Sequence, residues 1–513
     1  RKTTLAMTPS QSEQGSGERS KAHKDAAQGG GGTHDREQQR PKEKQGQYQH
    51  SQLLYTSRGT TMLLDASEWD RLSRNAVSNC SSLHFDHEPR CFFAPYSFDG
   101  GEHQSPFMHA ILVLQVYFDS AGRTPTPLST LRVGEAALLR KAATPWSIGD
   151  AVQMRNDVRE RYAALLGAGV CAQDIAVVPS CSYAMSLAAN MLSHKLVASR
   201  CAVLVLEGQN HSNVMAWQVL CRRRGGDLAI VARPADGDWA RAVLSRLNAN
   251  DVAVCALPPC HWCDGAIIDL VAVSEACKSL DVSLVIDATQ FVGAGGVLHA
   301  KALGAAVVAS SIHKWLLGPY GAALLYVDAA LYETATPLEH HDRNREGADL
   351  VECLPMGDAG YPEGFMPGAQ RLDSGGRPSY IVMPMLRNSL DLILDLGVQR
   401  IADTLREITS KIRERAAALG FKVPNAHVPH IIGLRCAAWM PSAEEIVRRL
   451  AQLPRPVIVA ERFGAIRISP YLHNTDADLD CLLEALENAL GGSDEQGHSD
   501  GGRNDAIGSS DDA

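Results

Sequence analysis

Two short stretches hold residue types that do chemistry together. VIDATQF (285–291) puts Asp287 at the end of an apolar run and the amide of Gln290 three residues on. SSIHKWLLGPYG (310–321) sets Lys314 between a histidine and a bulky apolar run, just ahead of a glycine-proline turn. A lysine amine condenses with an aldehyde to form a Schiff base. A carboxylate keeps a pyridine nitrogen protonated, so that the ring accepts electrons, and an amide can hydrogen-bond a ring oxygen. Acid, amide and lysine at successive strand ends therefore suit pyridoxal 5'-phosphate. That cofactor supplies the hard chemistry, and the protein supplies orientation and electrostatics.

The elements that must position these groups are legible around them. AVLVLEG (202–208), LAIVAR (228–233), DVAVCALP (251–258), VSLVIDA (282–288), AAVVASS (305–311) and GAALLYVD (321–328) are short, β-rich apolar runs. Helical segments such as DWARAVLSRLNAN (238–250) and LVAVSEACKSLD (270–281) separate them. Strands buried on both faces and alternating with helices indicate an α/β fold with a mostly parallel central sheet. Ligands on such sheets bind beyond the carboxyl ends of the strands.

From about 350 the pattern changes. Helical stretches at 383–420 and 443–452 flank strand-like pieces at 430–438, 456–461 and 464–469, and 476–490 reads as an amphipathic helix. This predicts a smaller α+β C-terminal domain (351–490) after a large cofactor-binding domain (116–350), with the segment before about 125 packing against the smaller one. HAILVLQVYF (109–118) reads as a buried strand. Residues 1–55, rich in Gln, Gly, Glu, Lys, Ser and His, are expected to be disordered, as is the acidic, glycine-rich tail 491–513. Residues 56–115 carry no assignment.

The chain has 513 residues, 45% of them apolar, which is ample for a large core. A formal charge of -9 argues against a basic surface for nucleic acid. No uncharged apolar run of about 18 residues is present, so no membrane span is expected. The 13 cysteines are odd in number and spread through apolar segments. That fits thiols in a reducing, cytoplasmic compartment better than a disulfide framework. The missing initial Met suggests a fragment or an unusual gene model. No G-x-x-x-x-G-K-[ST] loop appears, so a nucleoside triphosphatase is not suggested. CHWC (260–263) has no second Cys/His pair at metal-binding spacing.

Together, VIDATQFVGA, SSIHKWLLGPYGAALLYV and supporting stretches across 115–487 resemble the class V aminotransferase family of fold-type I pyridoxal-phosphate enzymes. The supporting stretches are YFDSAGRTPTP (117–127), NHSNVMAW (210–217), HWCDG (261–265), GAQRLDSGGRPSY (368–380) and IRISPYLHNT (466–475). A tryptophan after the lysine, followed by GPYG, is similar to the isopenicillin N epimerase branch. The resemblance implies that Lys314 is the Schiff-base lysine and the general base or proton shuttle. It implies that Asp287 partners the pyridine nitrogen and Gln290 the ring oxygen. Ser311 and His313 resemble phosphate-binding residues. Ser182, in PSCSYAMS (179–186), matches the hydroxyl of the phosphate loop, and Cys181 would add a backbone N–H there. Arg467, in IRIS, matches the arginine that binds a substrate carboxylate, and Trp262 would line the pocket.

The implied activity is that of a class V aminotransferase acting on a small amino acid through an external aldimine, as a homodimer. A carbon–sulfur lyase or an amino-acid epimerase is the alternative, and a noncatalytic binding protein of this fold a further one. Other readings stay open at single residues. Ser182 would also suit a helix cap, His313 a packed histidine, and Arg467, Arg371 and Arg377 ion pairs. Three departures stand out. The family's ring over the cofactor is replaced by Asn210, with His211 beside it. The stretch 454–469 lacks the mobile cysteine of a desulfurase, which disfavours that reaction in its usual form. Ala306 stands where an aspartate is common.

Overall fold

A computed structural model describes residues 115–347, 356–424 and 426–491. The expectations for 1–55 and for the tail beyond 491 lie outside them, as does all but the end of the strand expected at 109–118. The short apolar runs become the strands β1 (Val116–Tyr117), β2 (Ile175–Val178), β3 (Ala202–Leu206), β4 (Asp227–Val231), β5 (Val252–Leu257), β6 (Ser283–Asp287), β7 (Val307–Ser311) and β8 (Ala323–Val327).

 What these runs share is β-branched, apolar composition, which suits a pleated, buried surface.

The helices between them are α1 (Leu128–Ala143), α2 (Ala151–Leu165), α3 (Cys181–Met191), α4 (Met215–Arg224), α5 (Trp239–Leu247) and α6 (Leu270–Ser279). Side-chain caps start several of them: Ser180 accepts from the Tyr183 N–H, Asp238 from that of Arg241, and Asp269 from those of Val271 and Ala272. Gly225, at φ +67, closes α4 in the left-handed conformation that glycine adopts without a Cβ penalty.

Seven strands form one sheet in the order β2-β8-β7-β6-β5-β3-β4. Only β8 runs antiparallel to its neighbours; the other six share one direction. The mostly parallel α/β architecture expected from the sequence is therefore the one observed. Alternate strand residues feed two cores. Leu204, Cys255, Ile286 and Val308 face one with α2, α5 and α6, while Val205, Ala256, Val285 and Ala309 face the other with α3 and α4.

The C-terminal part contains α7 (Val382–Leu396), α8 (Val398–Ala418), β9 (Ile432–Arg435), α9 (Ala443–Ala451), β10 (Val457–Ile458), β11 (Ala460–Arg462), β12 (Ala465–Ile468) and α10 (Asp476–Gly491). A three-stranded antiparallel sheet, β11-β12-β9, carries a third core with α9 and α10. β1 pairs in parallel with β10, and Val116 and Phe118 lie in this third core, so the first described segment does pack with the C-terminal part.

The division expected at 350 does not coincide with the separation of cores. Met383, Leu386, Leu390 and Ile393 of α7 and Ile401 and Leu405 of α8 belong to the large core, whereas Ile412 and Ala416 of α8 belong to the third. An amphipathic pattern reveals that a helix has an apolar face, but not which core receives it. Among the described residues no helix is long and apolar enough to cross a membrane.

Candidate active site

A cavity of about 160 Å³ opens beyond the carboxyl ends of β3, β5, β6 and β7 and beside the start of α3. Asp287 ends β6, Ser311 ends β7, and Lys314 follows three residues later. Asp287, Gln290, Ser311, His313, Lys314, Cys181 and Trp262 all line the cavity. Sheet order explains the gathering: β5, β6 and β7 are neighbours, so residues distant in sequence share one edge.

The turn that presents Lys314 is tight. The Leu317 N–H donates to the Lys314 carbonyl at 3.0 Å and the Gly318 N–H to the Ile312 carbonyl at 2.8 Å. Leu317 adopts φ +57, a costly conformation for a non-glycine residue and one that clusters at functional sites. Burial holds the Lys314 amine below its usual pKa; the nearby Asp287 charge opposes that shift and Arg467 adds to it. His313 stacks on Tyr320 with ring centroids 4.2 Å apart, and burial, with Lys314 beside it, lowers its pKa to about 4.

Asp287 is buried, and its carboxylate accepts from the Thr289 N–H at 3.1 Å. The Thr289 hydroxyl oxygen accepts from the Ser311 N–H at 3.1 Å, joining the ends of β6 and β7. Gln290 donates to the Ala121 carbonyl at 3.0 Å and accepts from the Trp315 indole at 2.7 Å. Trp262 donates to the Gly208 carbonyl at 2.8 Å.

Three residues are placed otherwise than the sequence suggested. His211 is exposed and outside the cavity lining, while Asn210 lines it. The Asn210 side chain accepts from the Ser212 N–H, making a tight turn that carries His211 away. Ser182 is exposed and outside the lining; its hydroxyl lies 3.0 Å from that of Ser180, which is the helix cap. Arg467 is buried and does not line the cavity: it donates to Asp119 at 2.7 Å and to the Trp262 carbonyl at 3.1 Å, and its Nε has no partner.

Thr289, Ser212 and Gln209 line the cavity without having been singled out, and so does Cys260, which the sequence offered only within CHWC. Thr289 was findable, since it lies inside VIDATQF; the others follow from strand order. In CHWC, His261 stacks on Trp239 and meets the Glu207 carbonyl at 3.0 Å. Among the described residues no three potential metal ligands gather. Arg371 donates to backbone carbonyls of Met366 and Tyr332.

The residues present fit pyridoxal phosphate. A lysine of lowered pKa and a buried carboxylate face one cavity, and the positive end of α3 adjoins it at Cys181, where a phosphate is favoured. Fold and site together define a fold-type I pyridoxal-phosphate-dependent enzyme. The chain belongs to the family described as aminotransferase class-V, whose profile matches residues 116–427.

Among curated proteins it is similar to a cysteine desulfurase of Klebsiella pneumoniae, 27% identical over 72% of this chain and 92% of that one. A cysteine desulfurase of Serratia proteamaculans is 26% identical over 56% of this chain and 69% of that one. The uncharacterized aminotransferase YcbU of Bacillus subtilis is 24% identical over 67% and 85%. Among solved structures, the cysteine desulfurase CsdA of Escherichia coli has a TM-score of 0.63 at 18% identity, covering 74% of this chain and 96% of that one. The cystine C–S lyase C-DES has a TM-score of 0.61 at 17% identity, covering 74% and 98%.

These relatives correct one expectation. The epimerase branch suggested by Trp315 and GPYG is not the one they represent; the likeness over hundreds of residues lies with desulfurases. A motif of a few residues around the lysine reports local packing and not the whole pocket.

Proposed function

We propose that this enzyme cleaves a carbon–sulfur bond in a small amino acid, releasing the sulfur into solution. The observation that supports this most is the state of the pocket thiols. Cys181 and Cys260 line the cavity, and burial, with the Asp287 charge adding to it, pushes both thiols toward the protonated form. A protonated thiol is a poor nucleophile. The 454–469 stretch also lacks a cysteine. The relatives named cysteine desulfurases make sulfur-bearing amino acids the natural substrate class, and C-DES is named a C–S lyase.

Bound pyridoxal phosphate supplies an aldehyde for the substrate amine and a ring that accepts electrons from Cα. Lys314 would hold it covalently, Asp287 would face its ring nitrogen, Gln290 its ring oxygen, and Ser311, His313 and the start of α3 its phosphate. Lys314 Nζ, kept deprotonated more readily by burial, takes the proton from Cα. The chemistry the cofactor would supply there is loss of sulfur from Cβ with its bonding electron pair, the rest of the substrate ending, with water, as a 2-oxo acid and ammonia. Trp262 lines the cavity and would help to exclude water, while Arg467, held by Asp119 outside the lining, would stand behind it. The family pattern supports a homodimer, which light scattering would check.

The test incubates purified, cofactor-loaded enzyme with cysteine, cystine and alanine. Sulfide or persulfide in solution with a matching amount of 2-oxo acid is expected. A stoichiometric persulfide on the protein, found by mass spectrometry, would overturn release into solution. Amine transfer to a 2-oxo acid without sulfur release would instead support the second reading, transamination, which the family description and YcbU favour.

A further inference from the structure

Gln290 is held at both ends of its amide by groups whose chemistry allows one orientation only. The Trp315 indole N–H can only donate, so the atom 2.7 Å from it is Oε1. The Ala121 carbonyl can only accept, so the atom 3.0 Å from it is Nε2. One Nε2 hydrogen remains, and Gln290 lines the cavity.

The backbone is fixed as well. His430 Nε2 lies 2.6 Å from the Gln290 carbonyl, so the ring carries its proton there, and burial keeps it neutral with a pKa of about 3. The His430 ring meets Trp315 edge-on at 4.5 Å, and Tyr471 lies 5.6 Å from the same indole. Gly293, at φ +100, permits the close approach: a Cβ there would lie 2.3 Å from the Trp315 carbonyl oxygen.

We propose that Trp315 is a positioning residue: its indole N–H fixes and polarises the Gln290 amide so that the remaining N–H donates to the cofactor's ring oxygen. This rests on the cofactor reading above. A donor to an oxyanion favours the charged form, and donation into Oε1 strengthens the N–H at the other end of the amide. The other titratable groups around the cavity are Asp287, Lys314, His313, Cys181 and Cys260, with His430 behind Gln290. They are unchanged in Trp315→Phe, while Gln290→Glu adds one carboxyl group to them.

The experiment follows the visible absorbance of the cofactor-loaded full chain against pH for wild type, Trp315→Phe, Gln290→Glu and the double variant. Gln290→Glu keeps an acceptor for the indole and removes the amide donor. Trp315→Phe should move the midpoint up by about one pH unit, Gln290→Glu by at least as much, and the double variant no further than Gln290→Glu. A Trp315→Phe midpoint equal to wild type, or a shift that adds to that of Gln290→Glu, would overturn the proposal. If Trp315→Phe does not fold, the isostere with sulfur in place of the indole N–H is judged by the same two criteria. Wild-type protein with no visible band after cofactor addition would sink the cofactor reading itself, which is a separate outcome.

Discussion

Arg467 of β12 donates a 2.7 Å hydrogen bond to Asp119, which lies 348 residues earlier in the chain. The guanidinium is 1% exposed and the carboxylate 19%. Removing one partner of a buried pair strands the other charge, at a cost of ~3–5 kcal/mol. Asp119→Ala should therefore lower stability by an amount near the bottom of that range. Urea unfolding at neutral pH measures it; an unchanged midpoint would mean the pair is not held in solution.

Lys314→Ala should abolish covalent attachment of pyridoxal phosphate. Borohydride reduction followed by mass spectrometry reads this directly. A reducible bond to the protein that persists in the variant contradicts the assignment.

Asp287→Asn keeps the size of the side chain and removes its charge. The cofactor should still attach at Lys314, while turnover falls by ~100-fold or more, the scale seen when a buried electrostatic contact to a reacting group is lost. Retention of full turnover with attached cofactor would remove Asp287 from its role.

Two buried histidines set an acid limit on stability. Burial lowers the pKa of His430 to about 3 and that of His473 to about 4, against an ordinary 6.5. Both are neutral in the fold, while the unfolded chain takes up protons below 6.5. Their contribution is thus fully present above pH 6.5 and falls as pH drops toward 4, by ~1.4 kcal/mol per pH unit for each proton taken up. Denaturant unfolding between pH 7 and pH 5 should show the fall, and His430→Gln should make it shallower. An identical slope in that variant would exclude His430 as a source.

Much of the site could be read from the sequence because it depends on strand ends. Asp287, Gln290 and Lys314 each follow a β-branched run, and a run's end fixes where its next residues emerge. His211 and Ser182 could not be placed that way. One lies in a short turn and the other in the first turn of a helix, where one residue's shift changes the direction of a side chain by about 100°. The Asp119–Arg467 and Gln290–Ala121 contacts join distant segments, and neither residue pattern announces its partner. Nor does the pattern of α7 say which core it joins, and its apolar face lies in the large one.

The parallel pairing of β1 with β10 has a consequence for synthesis. β1 leaves the ribosome first, and its partner follows roughly 340 residues later, tens of seconds at 5–20 residues per second. Until then Val116 and Phe118 have no third core to enter. The segment whose Ala121 carbonyl anchors the Gln290 amide is consequently among the last pieces to settle, so a nascent chain stopped before β10 would carry the lysine, the aspartate and the glutamine without a finished place to use them.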